Sequence, residues 1–166
     1  EKKQVYTDYL LAREPAPASG KLHDAPWLIP APPDLSKRDG RPALAIFEQK
    51  VCAGCDEMHA EGFPRPEVAA LLQRYRAARV DIASAEALKT PNGKSLPMRD
   101  WARQLKIAYT PSFVFFDAGG REVFRVEGYL RPFHLSSSLD YVASGAYKKQ
   151  PEFQRFIEAR AAARRA

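Results

Sequence analysis

The sequence predicts an α/β fold, a central mixed sheet flanked by helices, with a proline-rich N-terminal arm and an extra C-terminal helix. Three observations lead there. The apolar run Pro42-Ala43-Leu44-Ala45-Ile46-Phe47 reads as a buried strand, and a helix and a second short strand follow it. Farther on, two strand-like segments are joined by a glycine-containing turn and read as a hairpin. The only two cysteines, Cys52 and Cys55, stand with two residues between them directly after the first strand.

Each element has its own local reason. Pro66-Glu67-Val68-Ala69-Ala70-Leu71-Leu72 is amphipathic, with a proline where the first turn of a helix tolerates one. Ala78-Arg79-Val80-Asp81-Ile82 reads as a short strand, which completes a strand, helix, strand unit. Asn92-Gly93 signals a turn, and the insert around it leads to a helix from about Met98 to Leu105. Phe113-Val114-Phe115-Phe116 is a buried strand. It passes through Asp117-Ala118-Gly119-Gly120 into the alternating segment Arg121-Glu122-Val123-Phe124-Arg125-Val126. A helix from Pro132 to Ala143 closes the core, and Pro151 opens a last one in which Phe153, Phe156 and Ile157 share a face.

The first 40 residues differ from this pattern. Six of the 14 prolines fall between Pro15 and Pro33, a density that breaks helices and ladders and leaves extended backbone. Trp27, Leu28 and Ile29 lie inside this arm, and they are expected to dock on the core. Residues 41–146 then form the main domain, and 147–166 a basic C-terminal helix. The chain begins at Glu1 rather than Met, which reads as a trimmed form whose targeting segment has gone.

Composition bounds the function. The 166 residues, 45% of them hydrophobic, suffice for one proper core. The net charge is +6, yet 26 basic residues are interleaved with 20 acidic ones, a pattern that argues against a nucleic-acid partner. The longest apolar runs fall well short of the roughly 20 residues that span a bilayer.

Cys52 and Cys55 point to chemistry rather than to stapling. A ring of four residues removes little entropy from the unfolded chain, so a crosslink there stabilises little. Because Cys52 falls at a helix start, unpaired amides and the helix dipole would favour its thiolate. Thr110-Pro111 stands immediately before the Phe113 strand, where a proline can hold a cis peptide bond.

From Arg41 to Ala143 the chain resembles the thioredoxin-like superfamily. Within it, the resemblance is to bacterial thioredoxin-related proteins that include the SoxW-like proteins of periplasmic sulfur oxidation. The stretches that carry it are Phe47 through His59, Pro91-Asn92-Gly93-Lys94 with the helix ending in Leu105-Lys106-Ile107, Thr110 through Asp117, and Gly128-Tyr129. The resemblance implies a thioredoxin fold and a thiol-disulfide oxidoreductase that needs no cofactor beyond its own redox-active disulfide. It implies that Cys52 attacks, Cys55 resolves, Pro111 is the cis-proline packed against the disulfide, and Thr110 offers backbone groups to an extended substrate. Partners would be proteins carrying a thiol or disulfide, together with a membrane electron-donor protein. The implied compartment is the periplasm, although the same chemistry would serve in the cytoplasm.

Departures from the family are instructive. Val51 replaces the common tryptophan, Ala53-Gly54 replaces Gly-Pro, and Ile46 stands where thioredoxins bury an acid that accepts the resolving thiol's proton. Glu48 or a water is a candidate substitute. Lys50 could stabilise the Cys52 thiolate or be a solvated surface lysine. His59, four residues after Cys55, reads as a packing or surface histidine, with modulation of the site as the other reading.

Other classes compete. With His59 the cysteines make C-x2-C-x3-H, a start toward a soft-metal site for copper or zinc, but neither His23 nor His134 is placed to supply a fourth ligand. Covalent haem attachment is disfavoured by Asp56, where a histidine would be required. A non-enzymatic interaction module would use the arm or the basic helix, where Arg155, Arg160, Arg164 and Arg165 suit a solvated or partner-facing surface.

Overall fold

The computed structural model describes residues 18–166, so the first part of the arm, with Pro15 and Pro17, lies outside the described residues. The first strand, β1 (Ala43–Glu48), is buried at every position. It can be so because small and large apolar side chains alternate on it. Leu44 and Ile46 face one layer with Met58, Phe63, Phe113 and Leu135. Ala43, Ala45 and Phe47 face the other, with Met98, Trp101 and Val114.

Around β1 the sheet grows in both directions. Strand β2 (Arg76–Asp81) pairs with it in parallel. On its other side β5 (Ser112–Phe116) pairs antiparallel, and β6 (Glu122–Glu127) extends the sheet antiparallel to β5. The order is therefore β2-β1-β5-β6. A small separate hairpin, β3 (Ala87–Lys89) and β4 (Ser95–Pro97), occupies the insert. Its turn is closed by Gly93 at φ +85°, a conformation that glycine adopts without steric cost.

Helices cover the faces of the sheet. The helix α1 (Ala53–Glu57) runs on into a π-helical turn, Met58–Gly62. Next come α2 (Pro66–Leu72), α3 (Met98–Gln104) and α4 (Pro132–Ala143). The C-terminal stretch holds two helices, α5 (Ala146–Lys149) and α6 (Phe153–Arg165), interrupted at Gln150-Pro151.

This is the predicted fold, with differences of detail. Strand β2 begins at Arg76, two residues earlier than the apolar pattern suggests, because Arg76 pairs with Ala43 and donates its Nη1 to the Leu35 carbonyl at 3.1 Å. The basic face of α6 is not simply solvated. Arg160 is only 14% exposed, bonds Ser136 and Ser137, pairs with Glu67, and lies over the Phe133 ring with Arg164. Charge on this helix thus works as a clamp onto α2 and α4, which the charge pattern alone does not reveal.

From Trp27 to Leu35 the arm runs along the outer side of β2 and on to β3. Leu28 bridges to Ala77 in parallel, and the Ile29 amide donates to the Ala77 carbonyl at 2.8 Å. Leu35 is fully buried and exchanges backbone bonds with the Lys89 region. Covering β2 in this way removes an open sheet edge, which would otherwise invite pairing with other chains. Trp27 packs edge-on to Phe63 with ring centres 5.0 Å apart.

Trp27 is half-buried, so Trp27→Ala should cost about 2 kcal/mol, less than the ~3–5 of a fully buried aromatic. For a chain of this size that lowers the melting temperature by roughly 4–8 °C. A thermal scan that shows no change would mean the arm's contact with the core contributes nothing.

Candidate active site

Strand β1 ends at Glu48, and the chain turns through Gln49, Lys50 and Val51 into Cys52, which caps α1 in extended conformation. Cys52 and Cys55 form a disulfide. The Cys55 amide donates to Cys52 Sγ at 3.0 Å, so one of the unpaired N–H groups of the helix's first turn is aimed at the outer sulfur. Both cysteines are largely covered, Cys55 the more so.

A second loop faces this helix. Thr110-Pro111 is a cis peptide. The Gln49 side-chain amide donates to Thr110 Oγ1 at 2.9 Å, and the Gly128 amide donates to the Pro111 carbonyl at 2.8 Å. Gly54 explains how closely the two loops approach. A Cβ built there would lie 3.1 Å from Pro111 Cδ and 3.7 Å from Tyr129 Cβ. Among the described residues, neither the amide nor the carbonyl of Thr110 takes a backbone partner.

Val51, Tyr109 and Tyr129 are the exposed large hydrophobics among the described residues. All three adjoin the disulfide or the proline loop. Partial burial, and then a hydrogen bond to Glu57, raise the Tyr129 phenol above its ordinary value. Lys50 is exposed and lines a cleft between the arm and β2.

On the inner side of α1 lies a group of ionisable side chains. Glu48 is 1% exposed and meets His59 Nε2 through both carboxylate oxygens, at 2.9 and 3.0 Å. His59 is 7% exposed, which excludes the surface reading of this histidine: the π-helical turn and the docked arm enclose it. Its ring stacks on His23 at 4.8 Å and meets Phe63 edge-on at 4.9 Å. His23 in turn bonds Asp56 at 2.6 Å, and Ser19 gives Asp56 both its amide and its hydroxyl. Among the described residues no group of three or more His, Cys, Asp or Glu is arranged to hold a metal.

Sequence reasoning placed Glu48 and His59 near the site without joining them, and it missed His23, Asp56, Gln49 and Tyr109. For His23 and Asp56 the arm is the reason. No local periodicity tells where an irregular proline-rich segment crosses a helix.

A mixed sheet in this order, with a disulfide at the start of the helix after its first central strand and a proline loop opposite, defines a disulfide-exchange protein. The profile of a thioredoxin-like domain matches residues 33–143, and the chain belongs to that family. A thioredoxin-fold protein from Helicobacter pylori superposes with a TM-score of 0.67 over 75% of this chain and 86% of its own, at 15% identity. A thioredoxin from Thermus thermophilus is 29% identical over 62% of this chain and 74% of its own, with a TM-score of 0.48. A disulphide isomerase from Xylella fastidiosa is 14% identical over 62% of this chain and 79% of its own, with a TM-score of 0.43. No curated protein matches the chain. The chain is a thiol-disulfide oxidoreductase of the thioredoxin-like superfamily.

His23 foremost, and then the Ser19 amide, hold the Asp56 carboxyl below its ordinary 3.8. A depressed acid stabilises the fold above its unfolded value, and that contribution is lost as pH falls through the lower folded one. Asp56→Asn should therefore cost about 1 kcal/mol near neutrality, a charge-assisted bond discounted for partial exposure. Melting temperatures of parent and variant should converge as pH falls below 3.8. A gap that persists there would show that the carboxylate charge does not anchor the arm.

Proposed function

We propose that the chain is a periplasmic reductant that passes two electrons from its dithiol to the disulfide of a protein partner. The clients are proteins of sulfur oxidation or another thiol protein of that compartment. The observation that carries the reading is the setting of the disulfide: exposed Val51, Tyr109 and Tyr129 adjoin it or the proline loop, and among the described residues the Thr110 backbone takes no backbone partner. An extended peptide can add its own backbone there, as a strand does at a sheet edge, while the apolar side chains receive its residues.

The proposed direction follows from how sparsely the thiolate is supported. A dithiol whose reduced form is strongly stabilised is an oxidant. Here Ala53 and Gly54 carry no charge, Asp56 and Glu57 follow, and among the described residues Cys52 Sγ takes one hydrogen bond. The nearby imidazole of His59 is engaged by Glu48 instead.

In this reading the Cys52 thiolate attacks one sulfur of the client disulfide. The Cys52–client bond forms as the client's own S–S bond breaks, and one client thiolate leaves. Cys55 gives up its proton and attacks Cys52, forming the intramolecular disulfide and expelling the second client thiolate. A membrane electron-donor protein restores the dithiol. The disulfide is the only redox group the cycle needs. Two cysteines, both in the motif, suit an oxidising space where stray thiols would mispair.

Equilibration with glutathione should give a potential near about −270 mV; a value near about −120 mV would identify an oxidant and overturn the proposed direction. Cys55→Ala should accumulate mixed disulfides with client proteins and Cys52→Ala should not. Equal trapping by both variants would overturn the roles of the two sulfurs.

A further inference from the structure

On its way past the outer sulfur the chain meets the proline loop twice. Gln49, three residues before Cys52, reaches across 61 positions of sequence to donate its side-chain amide to Thr110 Oγ1 at 2.9 Å. Gly54, two residues after Cys52, lies so near Pro111 that a Cβ there would stand 3.1 Å from the ring. The segment that carries Cys52 is therefore tied to one loop on both sides of the sulfur.

Only the first of these ties holds Thr110 itself. Its two neighbours are held by the sheet: the Ser112 hydroxyl, at the start of β5, donates to the Tyr109 carbonyl at 2.6 Å, and the Gly128 amide, just after β6, donates to the Pro111 carbonyl at 2.8 Å. Thr110 is half-buried between them. Among the described residues, the Gln49 amide is the one hydrogen-bond partner that any of its polar atoms takes. A β-branched side chain is stiff about its first torsion, so holding Oγ1 also holds the Thr110 backbone.

We propose that Gln49 is a positioning residue for client recognition, a role that rests on clients adding their own backbone at Thr110. By holding Oγ1 it presents the Thr110 N–H and C=O to an extended peptide in register with Cys52. It thereby selects disulfides carried on a peptide backbone over small disulfides that carry none. A strand laid on an open backbone draws its affinity from main-chain hydrogen bonds, and these weaken steeply once their angle is lost. A small disulfide makes no such bonds and is indifferent to how Thr110 is turned. Because the Gln49 bond is already made in the free chain, a client does not have to order the loop on binding.

The test compares two reagents with one leaving group, each mixed with the fully reduced chain. Dithiobis-nitrobenzoate offers its disulfide without a backbone; a short extended peptide whose central cysteine is linked to the same nitrothiobenzoate offers it with one. In each, a bond forms between Cys52 Sγ and the attacked sulfur, the reagent's S–S bond breaks, and the coloured nitrothiobenzoate thiolate leaves with the electron pair. Initial rates against peptide concentration give a half-saturating concentration and a limiting rate.

Gln49→Met keeps the bulk of the side chain and loses the amide. It should raise the half-saturating peptide concentration on the order of 5-fold, since one neutral hydrogen bond contributes a factor of roughly 2 to 12. The limiting rate should hold, and the reaction with dithiobis-nitrobenzoate should change by less than about 2-fold. Thr110→Val should raise the half-saturating concentration by a similar factor, and Thr110→Ser, which keeps the hydroxyl, should match the parent. Combining Gln49→Met with Thr110→Val should weaken binding no more than the stronger single change, because both remove the same bond.

Equal slowing of Gln49→Met with both reagents would assign Gln49 a structural role, and a variant that matches the parent with the peptide would show Thr110 held without it. Either result overturns this proposal alone. A parent chain that reacts equally well when the peptide is N-methylated on both sides of its cysteine would overturn the reading that clients bind through the Thr110 backbone, and this proposal with it.

Discussion

Burial of β1 on both faces is the constraint from which the rest of the molecule is built. A strand with no solvent face must be apolar along its length, and Ala43 to Phe47 is. Its alanines let the layer containing Trp101 come close on one side, while Leu44 and Ile46 meet the larger residues of the other. The chain leaves this packed position at Glu48 and reaches Cys52 four residues later, so the outer sulfur sits where the rigid centre of the sheet ends. Exchange chemistry needs such a footing, because an attacking sulfur must line up with the bond it breaks.

The same constraint brings polarity to one end of the core. Glu48 belongs to the strand and is as buried as its apolar neighbours, yet it is charged or carries a proton. Its imidazole partner comes from the helical turn, and the lid over that imidazole comes from the arm. Three separate stretches of chain therefore meet around one carboxylate. The arm that shields the edge of β2 is also the arm that stacks His23 on His59.

Much of this was legible in the residues. Strand β1, the helices starting at Pro66, Met98 and Pro132, and the hairpin through Gly119-Gly120 follow from hydrophobic period and turn chemistry, which act over a few residues. The cysteine spacing disclosed the chemistry for the same reason. What escaped depends on long-range docking: the start of β2 at Arg76, fixed by a bond to the arm; the hold of Arg160 on α2 and α4; and the enclosure of His59. A histidine's sequence neighbours do not say what will be laid across it, and an irregular segment with six prolines has no period from which to read its path.

Gly54 has a consequence for how such a protein can diverge. The residues between paired cysteines are a natural place to vary the affinity of a dithiol for electrons, since they adjoin both sulfurs. In this chain the second of them lies against Pro111 and Tyr129, where even a methyl group would arrive at 3.1 Å from the proline ring. Ala53 already carries a Cβ and is only half-buried. Inheritance of a new potential through this dipeptide is thus channelled into one position, and a change at the other would have to arrive together with a shift of the loop that receives the client.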